Sequence, residues 1–397
     1  MNRIELTVLP QKPLPNKVRA FGFSNGLHFR GPLLLVLCAM LFVVSCNSDD
    51  DGGGDPMDDF DRAAMLENVG TNIIIPRYEA MEEATTMLLA TAQLFEQGPD
   101  EVKLNALQDA WKNTAIAWQS CSPFEFGPAS DQLLRTSVNT FPTNQMQIQS
   151  NIASGNYDLT TANNIDAQGL PALDYLLFGL GTTDAEIVSF YTTNASSPQF
   201  KQYLLDLVTA IDTKVRFVNT SWPSTYLAEF KSNTGTDVGS SLGFLVNELN
   251  FDYELIKTAK VGIPLGKKTL GIAQPEKVEA FYSGISAELA LASFRGIEQL
   301  YRGMDAKGNN GLGLDDHLSS LGAKYNGGSL VEAIDAQLAL VASTLAPVPD
   351  PLSATIQNSP NTVDAAYTEL QKMIVLFKTD MPSALGVLIT YQDNDGD

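Results

Sequence analysis

EVKLNALQDAWKNTAIAWQSC, residues 101–121, is the stretch that decides the fold class. Its apolar side chains Leu104, Leu107, Trp111, Ile116 and Trp118 recur at helical steps, whereas a strand would alternate every second residue. Trp111 and Trp118 lie seven residues apart, on one helix face, which reads as core packing rather than a cofactor box. The same period extends in both directions. It covers 61–97, with a break expected near Gly70 or Pro76, and then 171–179, 199–219, 238–261, 275–303, 331–345 and 363–381. Helix-breaking Gly and Pro fall between these stretches, and strand-like alternation is rare. The pattern predicts an all-α protein built as two packed helical bundles.

The N-terminal region has a different character. Lys12, Lys17, Arg19 and Arg30 precede an apolar run, GPLLLVLCAMLFVVS (31–45), which is short of the roughly 20 residues that span a bilayer. Val43-Val44-Ser45-Cys46 resembles a bacterial lipobox, in which the Cys is acylated and becomes the mature N-terminus. Residues 1–45 are therefore expected to be a lipoprotein signal peptide, and 46–57, rich in Asp and Gly, a flexible acidic tether. Ser48-Asp49-Asp50-Asp51 resembles the export tag of bacterial surface lipoproteins. The expected location is the cell envelope, lipid-anchored at the outer membrane and facing the periplasm or the outside. An N-terminal bundle over 58–262 and a C-terminal bundle over 263–397 follow, with KVGIPLGKKT (260–269) as the expected connection.

Composition narrows the chemistry. The chain carries 46 acidic against 25 basic residues, a net charge of −21, which repels nucleic acid and attracts cations. Cys38 lies in the leader and Cys46 in the lipobox, so Cys121 has no disulfide partner, and without a nearby His it reads as an inert thiol. The two histidines are His28, in the leader, and His317; no HExxH or CxxC occurs. Glu248 and Asp252 stand one turn apart, a spacing open to shared metal ligation or to a solvated face. Asp393, Asp395 and Asp397 alternate like the start of a calcium loop but read better as a solvated tail.

Trp111 and Trp118, the loop Phe124-Glu125-Phe126-Gly127-Pro128 and the turn Asn139-Thr140-Phe141-Pro142 form a pattern similar to the imelysin family, also called M75 peptidases. Gly169-Leu170-Pro171-Ala172-Leu173-Asp174-Tyr175, Lys260 to Gly266 and Leu300-Tyr301-Arg302-Gly303 continue the resemblance. It implies two helical bundles with a site at their junction, in lipoproteins linked to iron or haem acquisition. It also implies a GxHxxE motif, with His and Glu placed to reach one metal. Here the frame holds Gly169, Pro171 and Asp174, so the His is lost and the acid has a shorter stem.

A gapless internal match sets Ala172–Gly179 against Gly296–Gly303, aligning Asp174 with Glu298; these two acids are the weak metal candidates. The expected pocket is lined by Phe124, Phe126, Gly127, Asp174, Tyr175, Glu298 and Arg302, unless Arg302 pairs with Asp174 or Glu298 and closes it. Three functions remain open. The first is a non-catalytic binding lipoprotein that works with iron or haem uptake components and is anchored in the bilayer through acylated Cys46. The second is a surface interaction protein that has lost metal binding. The third is a metallopeptidase, which the broken motif disfavours.

Overall fold

Helices form where the apolar period and the capping residues agree. A computed structural model describes residues 59–391. The leader, the Cys46 lipobox, the tether and the Asp393–Asp397 tail lie outside the described residues. Asp100 caps the Glu101–Cys121 helix by accepting the Lys103 amide at 2.8 Å. Leu104, Leu107, Trp111 and Trp118 are all buried on one face. Ile116 is only half-buried, because five residues past Trp111 is about 140° around the helix. Thr114 and Ala115 fill the buried position instead.

The break expected near Gly70 or Pro76 is a wide turn rather than an end. Arg62–Asn68 runs through the π-helical Val69–Ile74 into Ile75–Gln97, with Pro76 placed where the hydrogen-bond register shifts at the end of the wide turn. Ile75–Gln97 packs against both Glu101–Cys121 and Ser197–Ser221, while Leu330–Leu345 packs against Pro360–Val375. Strand among the described residues amounts to one short hairpin, in which Lys324 pairs with Ser329 and Tyr325 with Gly328, and one isolated bridge. The protein is all-α.

Segments on either side of residue 262 interlock. The buried Arg77 donates to Gly296 O at 3.3 Å and to Gln299 Oε1 at 3.0 Å. The Ser286–Tyr301 helix lies on Glu101–Cys121 so closely that a Cβ at Gly296 would stand 3.3 Å from Gln119 O. The chain passes residue 262 at the end of a π-helical stretch, Leu255–Gly262, that buries Lys257 and Lys260. All described core residues fall between Met65 and Val387, inside one compact unit, Met57–Asp397. No described helix is long and apolar enough to cross a membrane.

One departure from the helical reading shapes the site. The period over 275–303 predicts a continuous helix, yet only Pro275–Lys277 forms a short 3₁₀ turn before the helix begins at Ser286. Between them the chain turns sharply, with Ala280 at φ 53° and Gly284 at φ 72°. The amides of Tyr282 and Ser283 point away from helical partners and toward Asp174.

Candidate functional site

The motif helix, Gly169–Phe178, starts at a glycine for a steric reason. Gly169 has φ 75°, and a Cβ there would come within 2.4 Å of Val138 O. Gly169→Ala is therefore expected to destabilise the protein by about 1–3 kcal/mol. Urea denaturation measures this, and an unchanged midpoint would contradict the close approach. Pro171 sits in the first turn, where the missing amide costs no hydrogen bond. Leu173, Leu176 and Leu177 face the core, as their spacing predicts.

Asp174 is 2% exposed. Its two oxygens accept the backbone amides of Tyr282 and Ser283, each at 2.9 Å. Burial pushes its carboxyl up to about 6 against the opposing pull of these hydrogen bonds, and the charge of Glu279 adds to the rise. Asp174 thus ties the motif helix to the 280–284 turn. Beside it opens a cavity of about 220 Å³ walled by Phe141, Pro142, Pro171, Phe281 and Tyr282. Tyr175 stands 5.3 Å from the Tyr282 ring and accepts a hydrogen bond from Gln149 at 2.9 Å.

These residues do not fit a His–carboxylate metal centre. Pro171 offers no side-chain donor, and both Asp174 oxygens already bind amides. Among the described residues no three His, Cys, Asp or Glu side chains converge to hold a metal ion. His317 is buried and stacked on Phe60, with ring centroids 4.5 Å apart. Cys121 is also buried, and burial pushes its thiol up to about 12.

The residues expected to line one pocket lie in three places. Phe124 and Phe126 point into the core, where the Phe126 ring stacks on Phe230 and Phe244, each 5.8 Å away. Gly127, at φ 53°, packs so tightly that a Cβ would meet the Tyr226 ring at 2.5 Å. Phe126 and Gly127 border a separate cavity of about 350 Å³, together with Glu125, Asp131 and Glu248. Glu298 and Arg302 line neither cavity. Arg302 pairs with Glu298 at 3.3 Å and with Asp335 at 2.9 Å, so the pairing with Asp174 weighed above gives way to one with Asp335.

The strongest polar feature was not legible as a site in the sequence. Lys260 pairs with Glu279 and donates to Gln119 Oε1 at 2.8 Å. Gln119 and Asn139 in turn donate to Glu279 Oε1 at 3.0 and 2.7 Å. Nearby, Arg135 donates to Glu248 at 2.6 Å and to Ser122 O at 2.8 Å, with its guanidinium 4.6 Å from the Phe251 ring centroid. Asp252 binds the Ser122 hydroxyl. Glu248 and Asp252, one turn apart, thus serve different partners. Burial raises both of their carboxyls, and it pushes Glu125 up to about 7 although Arg135 pulls the other way. The sole sequence hint was the presence of these charges within apolar runs such as NELNFDYE and KVGIPLG.

Known proteins share this architecture. The family model described as imelysin, peptidase M75, matches residues 74–376. An iron-regulated protein A from Synechococcus elongatus is 20% identical over 296 residues, covering 72% of this chain and 75% of that protein. The crystal structure of a proposed iron-regulated protein A precursor from Parabacteroides distasonis superposes with a TM-score of 0.69 at 17% identity, covering 84% of this chain and 97% of that one. An imelysin-like protein from Psychrobacter arcticum gives a TM-score of 0.62 at 21% identity, covering 83% and 97%.

Proposed function

Because this chain belongs to the imelysin family, we propose that it is a non-catalytic binding protein of the cell envelope serving iron or haem acquisition. The observation that carries binding over hydrolysis is the state of Asp174. A carboxylate spent on tethering two backbone amides, beside a proline in place of the second ligand, is poorly equipped to hold a metal that activates water. The adjoining cavity has aromatic walls, which suit a compact iron chelate or the edge of a haem seated partly outside it better than a bare ion. The relatives named iron-regulated protein A support the iron connection. The lipobox supports attachment through acylated Cys46 at the outer membrane, facing the periplasm or the outside, where the protein would work with uptake components.

Titration of the chain from Cys46 onward with haemin, ferric citrate and bare ferric ion tests this reading. Saturable binding of haemin or ferric citrate is expected, weakened about tenfold by Phe281→Ala, with no cleavage of a casein substrate. Metal-dependent proteolysis would overturn the non-catalytic assignment. If neither iron compound binds, the second reading holds: Pro171 then marks a surface interaction protein that has lost its metal. Fatty-acid labelling of the wild type that persists in Cys46→Ser would refute the anchor.

A further inference from the structure

Phe141 also walls a second cavity, of about 220 Å³, whose other aromatic sides are Trp118 and Phe251. Every ionisable side chain in this wall is basic. Arg135 and Lys260 line it without a single carboxylate, in a chain with 46 acidic residues against 25 basic. The acids that neutralise these cations stand behind the wall. Glu248 holds Arg135, Glu279 holds Lys260, and Asp252 holds the hydroxyl of Ser122. Each acid fixes the orientation of a donor and leaves the cavity face to the donors themselves, the usual support for a preorganised site.

Each cation keeps a donor in reserve. The Arg135 guanidinium bonds Glu248 and Ser122 O through Nη2 alone, which leaves Nη1 as a donor. Lys260 gives two of its three N–H groups to Gln119 and Glu279, and its Nζ stands 5.6 Å from the Phe141 ring centroid. Thr136 and Asn139 add further polar groups to the rim.

We propose that this cavity is a binding site for a small organic carboxylate, held between the Arg135 guanidinium and Lys260 Nζ with its carbon body against Phe141 and Phe251. A carboxylate supplies an acceptor to the donors these two cations keep free, through charge-assisted hydrogen bonds, and its apolar part gains from the aromatic walls. The limited volume favours compact anions. The site stands apart from the iron reading, since it needs neither metal nor haem.

Calorimetric titration of the chain from Cys46 onward, which retains the whole core, with succinate and benzoate tests the proposal in iron-free buffer. One saturable site is expected for at least one of them, unaffected by an equal ionic strength of sodium chloride. Ala259→Phe, which fills the cavity without removing a charge, should abolish binding. Arg135→Lys keeps the charge but removes the guanidinium fork, and should weaken binding about tenfold or more. Circular dichroism confirms that each variant is folded; if one is not, the other carries the test. Absence of saturable binding by both carboxylates, or binding that neither folded variant weakens, overturns the site and leaves the iron reading untouched.

Discussion

Lys260→Met is expected to destabilise the folded protein by about 3–5 kcal/mol at neutral pH, the largest effect of any single polar substitution considered above. Lys260 and Glu279 are 6% and 3% exposed at their side chains, so water cannot replace the lost ammonium. Removing it leaves the Glu279 carboxylate with two amide donors, Gln119 and Asn139, and no opposite charge. The companion Lys260→Met with Glu279→Leu should recover most of the loss, because an apolar pair of similar volume carries no desolvation penalty. Urea denaturation of the wild type, both single variants and the double variant closes the cycle. Additive effects, with no recovery in the double variant, would mean that the pair is not coupled.

The second large effect is one of pH. The Asp174 carboxyl is raised to about 6 by burial, from an ordinary value of 3.8. The folded state therefore holds this proton more tightly than the unfolded chain. The group's stabilising contribution is complete below about pH 4 and is lost as pH rises through about 6. A shift of roughly two units corresponds to about 3 kcal/mol. Asp174→Asn removes the titration while keeping one acceptor for the 282–283 amides. The wild type should therefore lose about 2–2.5 kcal/mol relative to the variant between pH 4 and pH 7. Glu125, raised to about 7, and Asp315, raised to about 6, titrate in both proteins and cancel in the difference. Urea midpoints at pH 4, 5, 6 and 7 give the comparison directly. A difference that stays constant with pH would show that Asp174 is ionised without penalty.

What could be read in the sequence was local. The stripe through Leu104, Leu107, Trp111 and Trp118 needs only the helical repeat, and the buried face follows from it. Gly169 and Pro171 announce a helix start because φ preference and the missing amide act within a few residues. The motif comparison also recovered the family, since ordered loops such as FEFGP and NTFP survive as linear text.

The tertiary structure decided where the charges went. Asp174 reads in the sequence as a motif position and a weak metal candidate, yet it serves amides more than a hundred residues away. Those contacts break a helix that the period over 275–303 otherwise predicts. Nothing local marks Arg135 and Lys260 for burial, yet the fold encloses them with Glu248 and Glu279. Local periodicity determines which backbone forms helices, because its hydrogen bonds close within four residues. Whether an acid or a base is buried, and opposite what, depends on pairings between distant segments that no local pattern encodes.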